Sequence, residues 1–296
     1  MCIRDRILSG CVTPGTPFFG PTEQASAADV VIIQQLQALP DEVTPGGSTQ
    51  VIAWLKNLGR EDVTIKTVEL YDYCKGVWTL QSQPENPGTL HPYEARRLTW
   101  KLTASDVKFR TSCEFKVRIR YNYNTISYTT IKFINYEEMQ KQLELGTFKP
   151  EAGEIQIGSG PIKPILKVQD QQPIPVEKQQ ASFSVMLIFE NHGSGFPITE
   201  NQNEEIAIDL NKVEFQMQNT QDLKGQIINQ LKKCIDGYKK NNPKLNFIKA
   251  TTPPVLCDIN IQNANVPLET SVVIPVKISY DYEFRSFIPV TIQPPI

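Results

Sequence analysis

The same strand-like motif occurs twice in the sequence, as Val117-Arg-Ile119-Arg-Tyr121-Asn-Tyr123 and as Val276-Lys-Ile278-Ser-Tyr280-Asp-Tyr282. Apolar and polar residues alternate in both stretches, as they do in a β-strand with one buried face. Each is followed by a serine four positions after its last tyrosine, and then by another apolar run. The same strand motif in both halves of a 296-residue chain predicts a repeated all-β unit.

A second anchor precedes each tyrosine motif in the same order. The alternating run Gln50–Leu55 ends in Asn57-Leu58-Gly59, and Phe183–Phe189 ends in Asn191-His192-Gly193. From the asparagine to the first valine of the tyrosine motif there are 60 positions in the first copy and 85 in the second. The sequence therefore predicts two tandem β-sandwiches, the second with an insertion.

Further short apolar or alternating runs fill the rest of both copies, separated by Gly, Pro, Asn and Asp. The runs expected to form strands are Val30–Leu36, Val63–Tyr73, Arg97–Leu102, Phe115–Tyr123, Ser127–Ile134 and Ile162–Val168. Many short strands separated by such turn residues are typical of a sandwich.

In the first copy, Pro40 is followed by the turn Thr44-Pro45-Gly46 and then by the alternating strand that closes on Asn57-x-Gly59. With these features, residues 28–134 resemble the CARDB family of immunoglobulin-like domains. The second copy keeps Asn191-x-Gly193 but lacks the Pro-Gly turn. The resemblance implies seven-stranded immunoglobulin-like sandwiches, display outside a bacterial or archaeal cell and a spacer or adhesive role. It implies no catalytic residues.

The chain divides into five expected segments. Residues 1–6 are expected to be translated sequencing adaptor, and residues 7–27 a truncated signal with a flexible tether rich in Thr, Pro, Gly, Ser and Ala. The first sandwich is expected at 28–136, a short helix and linker at 137–161, and the second sandwich at 162–296. Glu137 and Glu138 suit the first turn of that helix, and Gly146 suits its end.

Cysteines indicate the compartment. Leu8-Ser9-Gly10-Cys11 resembles the lipobox of prokaryotic lipoproteins, which predicts lipidation of Cys11 and a membrane anchor; the alternative is an ordinary cysteine in a tail. Each sandwich holds two of the remaining cysteines: Cys74 with Cys113, and Cys234 with Cys257. Even pairs of this kind favour disulfides in an oxidising compartment. Buried free thiols in a cytosolic protein are the alternative.

The insertion in the second copy contains a predicted amphipathic helix near residues 222–238. Its expected apolar face consists of Leu223, Ile227, Leu231, Cys234, Ile235 and Tyr238. Asp222 suits the N-cap, and Gly237 the stop. The helix is expected to pack on an open side of the sandwich, with Cys234 linking it to Cys257; docking to a membrane or to a partner groove is the alternative.

One face of each second strand breaks the expected alternation. If Val51, Ala53 and Leu55 face the core, then the opposite face should be polar, yet it carries Ile52 and Trp54. Met186 and Ile188 stand at the corresponding places in the second copy. Either another part of the chain covers these residues, or they form the candidate binding patch for a protein or glycan partner.

The sequence offers little for catalysis or for nucleic acid. A net charge of −2 does not suit phosphate binding, and no nucleotide-loop, metalloprotease or hydrolase motif occurs. No cofactor and no metal site are expected; the acidic run Glu200–Glu205 is more consistent with a solvated loop than with a calcium site. Trp78 and Trp100 are expected in the core, with a carbohydrate platform as the alternative. The favoured function is a non-enzymatic surface lipoprotein; the alternative is a carbohydrate- or peptide-binding module of a larger extracellular protein.

Overall fold

A computed structural model of the protein describes residues 28–199, 206–216 and 222–294. Strands make up 58% of the residues and helices 12%, so the all-β class predicted from the sequence is confirmed. Residues 28–135, here called the first half, form β1 Val31–Leu39, β2 Glu42–Val43, β3 Ser48–Asn57, β4 Val63–Asp72, β5 Trp78–Ser82, β6 Thr89–Leu90, β7 Ala95–Ala104 and β8 Thr111–Asn135.

Residues 136–294, the second half, begin with a helix. The elements are α1 Tyr136–Glu144, β9 Ile155–Ile157, β10 Ile162–Val168, β11 Ile174–Val176, β12 Ala181–Asn191, β13 Phe196–Ile198, β14 Ala207–Asp209, a 3-10 turn Leu210–Lys212, β15 Val213–Phe215, α2 Leu223–Asn241, β16 Lys244–Asn246, β17 Val255–Ile261 and β18 Glu269–Ile292.

Three of the sheets build two sandwiches. A four-stranded sheet in the order β1-β3-β7-β5 belongs to the first sandwich, and a three-stranded sheet in the order β10-β12-β17 to the second. One nine-stranded sheet, which contains β8 and β18 at its centre, faces both of them. Edge-to-face ring contacts cross each sandwich, between Trp78 and Phe115 at 5.0 Å and between Phe133 and Phe183 at 5.7 Å.

β8 and β18 are single continuous strands, and here the sequence-based expectation was wrong. Phe115–Tyr123 and Ser127–Ile134 were expected to be separate strands, but both lie within β8. The two strands pair antiparallel over 24 residue pairs, from Glu269 with Ile134 to Ile292 with Thr111. Such a ladder is about 80 Å long at a rise of about 3.4 Å per residue. Asn124-Thr125-Ile126 contains neither Gly nor Pro, and the alternation of buried and exposed residues continues through it from one run into the next.

Each sandwich therefore takes one strand from the other half. The start of β8 lies between β4 and the end of β18, and β2 pairs in parallel with that end at Ile292. The end of β8 lies beside the start of β18. β11 pairs in parallel with this end of β8 at Phe133. The expected boundaries at 136 and 162 mark where the chain passes from one half to the other, but residues 280–292 complete the first sandwich and residues 124–135 complete the second.

The expected helix between the halves is present as α1. Its N-cap is Asn135, whose side chain accepts a hydrogen bond from the backbone of Glu137, and acidic residues fill its first turn. Gly146 follows with a φ of +66°, a conformation that suits glycine after a helix end. The expected linker after it includes β9, which pairs with β8 at Ser127–Thr129.

The predicted helix of the insertion is also present, as α2. Ile227, Leu231 and Ile235 are buried as expected, and Ile228 joins them. Asp222 caps the helix by accepting a hydrogen bond from the Gly225 backbone at 2.9 Å. The predicted stop at Gly237 was wrong, because the helix continues to Asn241; burial of its apolar face outweighs the roughly 1 kcal/mol cost of an internal glycine.

α2 also covers the free edge of β17. Gln230 pairs with both polar groups of the Asn260 backbone, and the carbonyl oxygen of Gln226 accepts a hydrogen bond from Gln262 N at 3.1 Å. These side-chain amides take the place of a neighbouring strand. An uncovered edge strand is a site for unwanted pairing, so the inserted helix seals the second sandwich.

Candidate functional site

The centre of the long ladder is the point where the two halves meet. Asn122 pairs with Asp281, and the tyrosines on either side pair reciprocally, Tyr121 with Tyr282 and Tyr123 with Tyr280. Asn122 Nδ2 donates to Asp281 Oδ1 at 2.9 Å, and the Lys66 ammonium contacts Asp281 Oδ2 at 2.7 Å. We call this region the waist, defined by Asn122 and Asp281.

The tyrosines of the two motifs point into the core at the waist. Tyr280 OH is 2.9 Å from Thr125 Oγ1 and accepts a hydrogen bond from Ile162 N. Tyr282 OH donates to Asn191 Oδ1 at 2.9 Å. Burial raises the pKa of both phenols, so they remain protonated at neutral pH. These contacts tie the strands together, and they explain the sequence repeat without a ligand.

The Asn-x-Gly anchors are also structural. Asn57 Oδ1 accepts a hydrogen bond from Gly59 N at 2.8 Å, and Asn191 Oδ1 accepts one from Gly193 N at 3.1 Å. Each is an Asx turn that ends a strand. A Cβ atom at Gly193 would collide with the Tyr282 hydroxyl and the Asp29 carboxylate, which explains the glycine.

On its outer face, the shared sheet carries a buried ion pair. Glu283 has no exposed side-chain surface, and its carboxylate contacts Arg120 and Arg285, the latter at 2.6 Å. The Arg285 guanidinium lies over the rings of Tyr71 and Phe196, 5.5 and 4.9 Å from their centroids. This cluster joins both halves on the side of the first sandwich and leaves its carboxylate without access to a ligand.

Beside that cluster lies an open cavity, which we call the waist cleft. It is a cavity of about 310 Å³ whose floor is Asn122, Ser279 and Asp281. Lys66 of β4 lines it from the first half, and Lys212 and Lys244 line it from the second. The cleft is therefore polar and is built by both halves of the chain.

The wall of the cleft comes from a second insertion that the sequence did not predict. β13 and β15 pair with successive parts of β18, at Phe196–Ile198 and Val213–Phe215. Between them the chain leaves the sheet and forms β14, which pairs with β16. The corresponding strand of the first half, β4, runs without such a departure. The extra length of the second copy is thus shared between this excursion and α2.

The predicted patch falls on two different sheets. Ile52 and Trp54 lie together on β3, but Ile52 is only 4% exposed whereas Trp54 is 37% exposed. Met186 and Ile188 lie together on β12, half-buried, with Ile188 paired to Ile165 of β10. The four residues therefore do not form one surface by strand pairing, and Ile52 offers little to a partner.

The other candidate residues are placed as follows. Trp78 and Trp100 are buried in the core, which excludes them as a carbohydrate platform. Cys74 is bonded to Cys113 and Cys234 to Cys257, with Cα atoms 6.1 and 5.9 Å apart. Cys11 and the acidic run 200–205 lie outside the described residues.

Both histidines contact nearby carboxylates. His91 Nδ1 is 2.9 Å from Asp62 Oδ1, which raises the pKa of that imidazole, and His192 Nε2 is 2.7 Å from Glu190. Within the part of the chain that the structure describes, no group of three or more His, Cys, Asp or Glu is arranged to hold a metal. None of the described helices is both long enough and apolar enough to cross a bilayer.

Comparisons with known proteins identify no family. Neither a family model nor a curated protein matches the chain. Among solved structures, the chain is similar to the secreted serine protease VesC from Vibrio cholerae, with 9% identity and a TM-score of 0.20 over 83% of this chain. The match covers 48% of that protein, so this chain spans about half its length. A similarity at this score carries no argument about fold or activity.

Sequence reasoning missed the residues of the waist cleft. Lys66, Lys212 and Lys244 are far apart in the sequence, and no motif connects them. One signal was present: the residue between the two tyrosines of each motif differs, Asn122 in the first and Asp281 in the second. An acid in only one copy of an otherwise similar strand marks the place where the copies have different surroundings.

Proposed function

We propose that this chain is a non-enzymatic extracytoplasmic module, in which the two sandwiches form one rigid spacer with an adhesive or assembly role at a cell surface. The observation that carries the proposal is the ladder of 24 residue pairs between β8 and β18, which runs through both sandwiches. Tandem domains joined by a linker move relative to each other by default. Bending this molecule at the waist would deform two continuous strands that are paired along their whole shared length.

Direct contacts outside the ladder support the same rigidity. The carboxylate of Asp29, at the start of the first half, accepts hydrogen bonds from the backbone and hydroxyl of Ser194 in the second. The Glu283 cluster joins the halves on the opposite sheet face. A module that holds a fixed distance between its ends suits a spacer.

The compartment follows from the disulfides. Two bonded pairs indicate an oxidising, extracellular environment, because cytosolic thiols are kept reduced. Attachment to a membrane through lipidated Cys11 is part of the proposal and rests on the sequence around it. In cells that make the protein, Cys11→Ser is expected to move it from the membrane fraction to the soluble fraction; reduced protein in the cytosol would contradict the proposal.

Rigidity can be measured by distances between spin labels. One label at Lys101 and one at Lys167, both exposed and in different sandwiches, should give a narrow distance distribution. The labels are introduced as unnatural amino acids so that the disulfides stay intact. The matched control is a pair at Lys101 and Glu114 on opposite sheets of the first sandwich. A distribution much broader than that of the control would contradict a rigid spacer.

A second candidate function is recognition of a glycan or peptide by the first sandwich. Exposure of Trp54, between Gln35 and Arg97 on neighbouring strands, favours it, because an indole offers a flat apolar surface to a sugar ring. A glycan array with the intact protein tests this function. Binding should be lost in Trp54→Ala and kept in Tyr93→Ala, which removes an exposed ring elsewhere; equal binding by the two variants would rule it out.

A further inference from the structure

We propose that the end of the first sandwich that lies away from the waist contacts the surface of an anionic lipid bilayer. We call this end the distal tip and define it by the loops 73–77 and 105–110. The loops precede β5 and β8, at the end of the ladder where Ile292 pairs with Thr111. The contact goes beyond the spacer role and needs no particular ligand in the waist cleft.

An aromatic side chain projects from the distal tip. Phe109 is 80% exposed, more than any other large apolar side chain of the described residues. Most of its apolar area is therefore in water, and transfer of the ring to an apolar phase is favourable. Peripheral membrane proteins place such side chains at the boundary between lipid headgroups and acyl chains.

Two cations flank the ring. Lys108 and Arg110 are exposed, and neither contacts a carboxylate among the described residues. Lys75 on the adjoining loop is a third cation, whereas Asp106 is the only acid in the two loops. The last residue of β4, Asp72, is already paired with a lysine of β8 at 3.0 Å. The ring is thus surrounded by a positive charge that suits the negative potential of anionic headgroups.

Other acids near this end of the sandwich are set back from the loops. Asp41, Glu42 and Glu114 stand one to three positions back from the strand ends Val43 and Thr111. The turn that follows β2 at this end is uncharged. The loops, and not the strands behind them, therefore set the charge that a flat surface would meet.

The acidic run 200–205 belongs to the other end of the first sandwich. It follows β13, which pairs with β18 at the waist, about 35 Å along the strand from Ile292. After it the described chain resumes beside the waist cleft, which Ala207 lines. Residues 295–296, which follow β18 at the distal end, are uncharged. The charge of the tip therefore does not depend on the acidic run.

The loop that carries the ring is held in place by its neighbours. Ser105 donates hydrogen bonds through its backbone to Val77 O at 2.8 Å and through its hydroxyl to Gly76 O at 3.2 Å. The disulfide between Cys74 and Cys113 joins the same two segments of chain. Little conformational freedom has to be lost when such a loop meets a surface, which favours binding.

The small size of the tip favours a bilayer over a folded protein partner. A stable protein interface buries about 800 Å² on each side and involves about 20–30 residues. The two loops have far fewer residues and present one projecting ring. A fluid bilayer can close around a single inserted side chain, and each adjacent cation adds to the attraction.

The proposed anchor would permit this orientation. Residues 12–27, between Cys11 and the first described residue, can span at most about 55 Å. This is more than the roughly 35 Å from the waist to the tip. Glu23 is the only charged residue of that segment. A chain attached through Cys11 could thus stand with its distal tip on the membrane and its second sandwich directed away.

The test is fluorescence of the full chain with vesicles of phosphatidylglycerol whose acyl chains are brominated. Phe109→Trp puts an indole at the tip, and its emission should shift to the blue and be quenched, because bromine quenches only an indole that enters the bilayer. The parent protein supplies the background of its three tryptophans. The matched control is Tyr93→Trp, at a 61% exposed position in the turn before β7 at the waist end, which should stay unquenched.

The role of charge is tested in the Phe109→Trp protein. Changing Lys108 and Arg110 together to glutamine should weaken partition into anionic vesicles about thirtyfold, about fivefold for each cation. Lys101→Gln, which removes an exposed lysine on a strand, should leave partition unchanged. Vesicles of phosphatidylcholine should quench the tip indole far less. Thermal unfolding checks that these surface variants remain folded.

Several results would overturn the proposal. They are absence of quenching of Phe109→Trp at millimolar anionic lipid, equal quenching of Tyr93→Trp, and equal partition into neutral and anionic vesicles. Partition unchanged by loss of both flanking cations would also overturn it. The distance between spin labels in the two sandwiches is independent of these results, so failure of the membrane contact is distinguishable from failure of the rigid spacer.

Discussion

At the scale of single residues, the waist is held by polar groups that have been removed from water. Glu283 lies on a sheet face that would ordinarily be solvated, yet its carboxylate is fully covered and is shared by two arginines. Breaking a buried ion pair costs more than the pair contributes, because the remaining charges stay desolvated. The ion pair therefore serves mainly to specify the register in which β8 and β18 pair.

Replacing Glu283 tests this requirement. Glu283→Gln should lower the free energy of unfolding by about 1.5–3 kcal/mol, because Arg120 and Arg285 lose their common partner but, with side chains 18% and 45% exposed, can still be hydrated. Denaturant titration measures the change. Glu214→Gln is the control on the same sheet. The Glu214 side chain is 61% exposed and lies 3.6 Å from the Lys277 ammonium, so its loss should lower the free energy of unfolding by less than about 1 kcal/mol. Similar losses in both variants would contradict the role of burial.

Tyrosine burial predicts a loss of stability at alkaline pH. Burial raises the pKa of Tyr121, Tyr280 and Tyr282 above the ordinary value of 10.0. Above that pH the unfolded chain releases phenolic protons that the folded chain retains, so the free energy of unfolding falls as pH rises. More than about one pH unit below 10 these groups contribute almost no slope, because the phenols are protonated in both states. Unfolding titrations between pH 8 and 11 should show the decline, and Tyr280→Phe should reduce its slope, whereas Tyr93→Phe at the surface should not.

At the scale of elements, the two sandwiches differ in what covers the edge of the sheet that faces the shared sheet. In the first, β5 pairs with β7 and extends the sheet by one strand. In the second, α2 occupies the edge of β17 with glutamine amides and a disulfide. The helix also buries four apolar side chains, so it serves both as a core element and as a cover for the sheet edge.

Gln230 is the residue on which the covering of the edge depends most. Gln230→Ala should lower stability by about 1 kcal/mol, because the Asn260 N–H and C=O lose their partner and turn to water. The variant should also self-associate more readily, since part of a strand edge becomes open. Lys233→Ala, on the exposed face of the same helix, should change stability by less than about 0.5 kcal/mol. Sedimentation and denaturant titration measure both effects.

At the scale of the whole molecule, the shared strands make the two halves interdependent. The end of β18 lies between the start of β8 and β2, so the first sandwich is incomplete without residues 280–292. The second sandwich equally needs residues 124–135. We expect the fold to form in one cooperative step that involves both halves.

Separate expression of the halves tests this interdependence. Fragments 28–135 and 136–294 should each lack a cooperative unfolding transition, and mixing them should restore it, as followed by circular dichroism. The control is the full chain cut at a protease site placed between Gly146 and Gly153, which should stay folded because no shared strand is broken. A fragment 28–135 that unfolds cooperatively alone would contradict the exchange of strands.

The local features of this protein could be predicted from the amino-acid sequence. Alternation fixed which faces of Phe183–Phe189 and Val117–Tyr123 are buried, helical periodicity located α2, and the even distribution of cysteines paired them correctly. The strand faces and the helix depend on residues that are close together in the chain, and the disulfides follow from the number of cysteines in each half. Local sequence patterns and cysteine counts are therefore sufficient to predict them. The sequence also predicted the Trp78 and Trp100 core positions.

The way in which the two halves combine could be seen only in the folded chain. The residues Asn124-Thr125-Ile126 do not themselves decide whether the chain turns or continues as a strand. That depends on the pairing of Asn124 with Ser279 and of Thr125 with Ile278, more than 150 positions away in the sequence. The same pairing brings Lys66 to Asp281 and builds the waist cleft. Cross-strand hydrogen bonds between distant segments carry no local signature, so alternation predicted the strands but not their partners.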